Sequence, residues 1–90
     1  MQRAAQRANE GDEDSAIRLY RKVLDQNPRN ASAHLDLGLL LHHYKKNYVE
    51  AIYHYRRYLD LRPKTDKWEM IGERVRDAEH MFAADVVAPG

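Results

Sequence analysis

A chain of 90 residues is long enough for one small domain with a single core. Its 15 basic and 14 acidic side chains leave a formal net charge of +1, which disfavours nucleic acid and anionic membrane surfaces as partners. Because the chain has no cysteine, disulfides, thiolate catalysis and thiolate metal sites are excluded.

Helix-ending residues divide the chain into five predicted helices, at residues 2–10, 14–26, 31–46, 48–61 and 65–84. The connections between them are short, so consecutive helices are expected to run antiparallel. No window shows the strict alternation of apolar and polar residues that a strand needs. Residues 85–90 are expected to form a flexible tail.

Several residues predict where these helices begin and end. The residue before a proline is disfavoured in a helix, so Pro28 and Pro63 mark two helix ends. Asn30 is a suitable N-cap for the third helix, and Asn47 tolerates the left-handed conformation that closes it. The last helix is expected to begin at Thr65 or Asp66, where Asp66 and Glu69 have the spacing of a capping box.

The sequence also repeats itself. The segment Ala16 to Pro28 aligns without gaps on Ala51 to Pro63, at a spacing of 35 residues, and one alanine, isoleucine, tyrosine, arginine, leucine, aspartate and proline are identical. A period of this size is typical of stacked helical units, none of which buries its apolar face alone.

This pattern resembles the tetratricopeptide repeat family, whose motif spaces aromatic, Leu-Gly, alanine and proline positions over about 34 residues. The middle unit, residues 31–64, matches that motif at Leu37, Gly38, Tyr48, Ala51, Tyr55 and Pro63. It departs from it at His34, Leu41 and Tyr58, and it contains one extra residue between Gly38 and Ala51.

The resemblance implies an all-α fold, a right-handed superhelical stack of antiparallel helical hairpins. It implies a single domain over residues 1–84, with a truncated first repeat at about 1–30, a second at about 31–64 and a capping helix at about 65–84. Trp68 falls out of register with the motif, which favours a cap over a third repeat.

The third helix is apolar on more than one side, since five of its residues between 35 and 41 are leucines. The first helices of stacked hairpins form a concave wall that holds segments of other proteins. We therefore predict a non-enzymatic interaction module that binds a protein or peptide along this wall. The predicted groove residues are Asn9, Ser32, Leu35, Asp36, Leu39, His42, Lys67, Met70 and Arg74.

Three alternatives stay open. The leucines could instead complete the core or meet a neighbouring repeat, and the chain could be a self-associating fragment of a larger scaffold. RNA binding is a further alternative, because helical arrays of this period also read bases, although the near-neutral charge opposes it. Asp36 stands where relatives that clamp a carboxylate carry asparagine, and it favours a basic or hydrogen-bonding ligand.

We expect no metal site, no cofactor and no catalytic centre. No two of the five histidines have the i, i+4 spacing that places two ligands on one helical face, and no nucleophile or phosphate-binding motif is present. The longest apolar stretch, Leu37 to Leu41, is too short to cross a bilayer, and the first residues do not resemble a signal peptide. A soluble protein is expected, and the cytoplasm is the favoured compartment.

Overall fold

The computed structural model describes residues 12–87, with side chains to residue 84. Its regular structure over this range is entirely helical. Four α-helices follow one another: α1 (Glu13–Gln26), α2 (Ala31–Leu40), α3 (Tyr48–Leu61) and α4 (Trp68–Val87). A π-helical turn, Leu41–Lys45, extends α2.

Side-chain caps explain three of the helix starts. The carboxylate of Asp12 and the amide oxygens of Asn30 and Asn47 each accept a hydrogen bond from the backbone N–H three residues later. Each cap satisfies one of the N–H groups that have no partner inside the helix. The predicted role of Asn30 is therefore confirmed.

Prolines explain two of the helix ends. Asn27 and Arg62, each followed by a proline, have φ values of −144° and −129°, outside the helical region. The proline ring disfavours the helical conformation of the residue before it. The predicted ends of α1 and α3 agree with the structure.

Other boundaries differ from the prediction. The structure has four helices over the described residues where five were predicted for the chain, because the predicted helix at 2–10 lies outside them. The residue with the left-handed conformation is Lys46, with φ 55°, while Asn47 caps the next helix. The π-helical turn accommodates the extra residue before Ala51 by widening one turn.

The last helix begins later and ends later than predicted. It starts at Trp68, and in the turn before it the Thr65 hydroxyl accepts a hydrogen bond from the backbone N–H of Lys67. It continues to Val87, so residues 85–87 are helical and do not belong to a tail.

Helices α2 and α3 form a tight antiparallel hairpin around Gly38. A Cβ atom added at Gly38 would lie 3.0 Å from two ring carbons of Tyr55 and 3.4 Å from the carbonyl oxygen of Ala51. The missing side chain therefore allows the Tyr55 ring, which is fully buried, to lie directly on the α2 backbone.

The hairpin carries one helix on each side. Helix α1 packs on α2 and α4 packs on α3, so each neighbouring pair in the sequence is also a pair in space. One continuous apolar core connects all four helices, and its members include Ile17, Leu37, Leu41, Tyr55 and Ile71.

Candidate functional site

Helices α2 and α4 are joined by a hydrogen-bonded histidine. The Nε2–H of His42 donates to the Asp77 carboxylate at 2.7 Å, which leaves Nδ1 to accept from the Tyr55 hydroxyl at 2.8 Å. His42 is 3 % exposed, and the π-helical turn that carries it directs its ring towards α4. Burial raises the pKa of the Tyr55 hydroxyl, which therefore stays protonated and continues to donate.

A second polar contact joins α1 to α2. The hydroxyl of Tyr20 donates to the carboxylate of Asp36 at 3.1 Å. Burial raises the pKa of Asp36, and the hydrogen bond from Tyr20 opposes that shift. Because Tyr20 already donates to one oxygen of Asp36, this half-buried carboxylate has a limited capacity to bind a ligand.

A chain of polar contacts through His34 and His54 connects α2, α3 and α1. His34 donates from Nε2 to the carbonyl oxygen of Pro28 at 2.8 Å, and its Nδ1 lies 2.9 Å from the Nδ1 of His54. The other nitrogen of His54 lies 3.5 Å from Glu50, which in turn forms an ion pair with Arg21 of α1.

The short contact between the two rings limits their charge. A hydrogen bond between two Nδ1 atoms needs one proton, so both rings cannot be protonated there at once. Burial and the neighbouring His34 lower the pKa of His54, whereas Glu50 raises it. Arg21 lowers the pKa of Glu50 by donating to its carboxylate.

The predicted groove residues divide by exposure. Ser32, Lys67 and Arg74 are exposed, Leu39 and Met70 are half-buried at the edge of the core, and Asn9 lies outside the described residues. Leu35 and His42 are buried, with exposed fractions of 7 % and 3 %, so little of either side chain is accessible to a partner. Asp36 is half-buried and bonded to Tyr20.

The exposed charges one turn away from Met70 on α4 are of both signs, with Asp66 and Lys67 before it and Glu73 and Arg74 after it. Within the described part of the chain Arg74 has no ion pair, while Lys67 lies 3.8 Å from Asp66. Burial lowers the pKa of His43, and the positive charge of Arg74 acts in the same direction. We call the predicted groove residues Leu39, Lys67, Met70 and Arg74, which are exposed or half-buried, the inner face.

Over residues 12–87 no cluster of three or more histidines or carboxylates has a geometry that could hold a metal ion. None of the helices in that range is long and apolar enough to span a membrane. Three of the histidines, His34, His42 and His54, form contacts between helices.

A profile of the tetratricopeptide repeat family matches residues 3–65, more than half of the chain. The chain belongs to the tetratricopeptide repeat family. Tetratricopeptide repeats generally mediate contacts between proteins, and members of the family are typically not enzymes. No curated protein matches the chain.

In this tetratricopeptide repeat protein, sequence reasoning missed the side-chain links between helices. His42 and Asp77, like His34 and His54, come from different helices, and no local sequence pattern pairs them.

Proposed function

We propose that this protein is a non-enzymatic interaction module that holds a segment of a partner protein on its inner face. The observation that carries the proposal is the combination of half-buried Leu39 and Met70 with Arg74, which has no ion pair among residues 12–84. Partly exposed apolar side chains next to a charge are typical of sites where an apolar anchor docks and a polar group fixes its orientation.

The charges of the inner face indicate what the segment carries. Asp36 accepts from Tyr20, so its carboxylate is partly used, whereas Arg74 has its donors available. We therefore expect a segment with an apolar side chain over Leu39 and Met70 and an acidic side chain near Arg74. The sequence-based expectation of a basic or hydrogen-bonding ligand rested on Asp36, whose carboxylate accepts from Tyr20.

Rigid positioning supports the same proposal. The link from Tyr55 through His42 to Asp77 fixes α2 against α4, the two helices that carry the inner face. A partner would therefore meet a surface that is already ordered, which lowers the entropic cost of binding.

A peptide-display library panned against the full chain tests the proposal. Selected peptides should be rich in an apolar anchor and an acidic neighbour, and Leu39→Glu and Met70→Glu should each weaken their binding by about tenfold or more. Circular dichroism should show that both variants keep the helical signal of the native chain.

The matched control is Tyr53→Glu on the outer side of α3, where the native side chain is 55 % exposed. This variant should bind the selected peptides like the native chain. Peptides whose affinity falls with Tyr53→Glu but not with Leu39→Glu would place the binding surface on the outer side and refute the proposal.

A further inference from the structure

An open groove lies between α3 and α4, on a different surface from the inner face. Its volume is about 440 Å³, and Leu59, Trp68, Gly72 and Val75 form its apolar lining. Arg56 stands at its edge with Asp60 and Arg76. Trp68 is 50 % exposed, although its indole N–H is fixed by donation to the carbonyl oxygen of Pro63.

The wall formed by α4 repeats the surface of α2 on which α3 packs. At a spacing of 34 residues, one less than the period of the earlier units, Trp68, Gly72 and Val75 align with His34, Gly38 and Leu41. At a spacing of 34 residues Trp68 is in register with the repeat, whereas at a spacing of 35 residues it is not.

The two surfaces differ in what covers them. On α2, His34 and Leu41 are 4 % and 1 % exposed, and a Cβ at Gly38 would press on Tyr55 of α3. On α4, Trp68 is half exposed, and a Cβ at Gly72 would meet only the Arg76 guanidinium, at 3.5 Å. Helix α4 thus presents the first half of a hairpin whose second helix is not among the described elements.

The wall formed by α3 repeats a surface of α1 in the same way. Arg56, Leu59 and Asp60 align with Arg21, Leu24 and Asp25 at the spacing of 35 residues. On α1 those three residues line an open pocket of about 410 Å³ together with Glu50, Tyr53 and His54 of α3. Arg21 donates two hydrogen bonds to Glu50 across it. The equivalent Arg56 is exposed and lies 3.5 Å from Glu79.

The two walls of the groove therefore match the surfaces of α1 and α2 that face α3. We propose that this groove is a docking site for an amphipathic helix of a partner protein with the pattern of α3: a glutamate, an alanine directly after it, and an aromatic residue four positions beyond the alanine. In α3 these are Glu50, Ala51 and Tyr55.

Each residue of the pattern has a physical reason. The glutamate pairs with Arg56 as Glu50 pairs with Arg21. The alanine allows the two backbones to approach, and the aromatic ring covers Gly72 as Tyr55 covers Gly38. An amphipathic helix in an apolar groove is a common mode of protein recognition.

A folded second copy of the described region does not supply such a helix. The alanine and tyrosine with this spacing are fully or almost fully buried in α1 (Ala16, Tyr20) and α3 (Ala51, Tyr55). In α4, Phe82 follows Ala78 by four positions and is 44 % exposed, but Ala78 is fully buried. We assign the helix to a partner protein that exposes the whole pattern.

Fluorescence anisotropy with a labelled synthetic peptide of residues 47–62 tests the proposal on the full chain. We expect saturable binding, and we expect Gly72→Leu to weaken it by about tenfold or more, because the leucine fills the space of the aromatic ring. The space around Gly72 allows this variant to fold, which circular dichroism and thermal melting check.

Two further arms identify the site and the occupant. Arg56→Glu should weaken binding, and a peptide with Glu50→Arg should restore it, whereas Leu39→Glu on the inner face should leave it unchanged. Absence of saturable binding, or equal binding to the native chain and Gly72→Leu, would overturn the proposal. A dimer in light scattering that Gly72→Leu dissociates would make a second copy the occupant and overturn it as well.

Discussion

Gly38 and Tyr55 are so close that a Cβ atom at position 38 would lie 3.0 Å from Cδ1 and Cε1 of the tyrosine ring. The ring is fully buried between α2, α3 and α4 and cannot move away without opening the core. The hairpin at the centre of the fold depends on this one contact between a missing side chain and a large one.

Gly38→Leu is therefore expected to destabilise the protein by about 1–3 kcal/mol or more, because the added side chain overpacks the hairpin. Gly72→Leu is the matched control, since a Cβ there meets one flexible guanidinium at 3.5 Å. Urea unfolding followed by circular dichroism measures both. Equal losses of unfolding free energy in the two variants would contradict the packing described for Gly38.

Tyr55→Phe is expected to cost about 1–3 kcal/mol of unfolding free energy, since it leaves the buried Nδ1 of His42 without its donor. The exposed Tyr53 offers a control, because Tyr53→Phe removes a hydroxyl from a side chain that is 55 % exposed. Thermal melting compares the two. If both variants melt like the native chain, the link from Tyr55 to His42 contributes nothing to stability.

The His34–His54 contact predicts that acid destabilises the fold. The pKa of His54 is lowered below 6.5 in the folded chain, so the unfolded chain binds more protons as the pH falls through that value. The free energy of unfolding should therefore decrease from about pH 7.5 to about pH 5.5. Urea unfolding at several pH values measures this slope.

His54→Gln should flatten that slope, because glutamine does not titrate. The raised pKa of Asp36 acts in the opposite direction, but it is common to both proteins and cancels in the comparison. A variant with the same pH dependence as the native chain would show that His54 does not cause it.

The sequence predicted the parts of the fold that depend on local rules. Prolines and the Asn30 cap act within a few residues of their own position, and the 35-residue repeat directly indicated which helices are equivalent. The predicted start of α4 was wrong by two or three residues, since Thr65 and Asp66 lie in a turn before Trp68, where the Thr65 hydroxyl accepts from the backbone N–H of Lys67.

The candidate site was harder to predict, because it depends on which side of a helix a residue occupies. The π-helical turn rotates the residues after Leu41, and this places His42 inside the structure on Tyr55 and Asp77. The sequence analysis assumed a regular α-helix and therefore predicted that His42 lines the groove. Leu35 and Leu39 illustrate the same limit, since both were placed on the groove and only Leu39 keeps appreciable exposure.

Methyl NMR of the full chain with a peptide selected on it tests the proposed function most directly. The account predicts that the methyl signals of Leu39 and Met70 shift on titration, while that of Val49, which is 59 % exposed on the outer side, stays in place. Shifts at Val49 with none at Leu39 and Met70 would contradict recognition through the inner face.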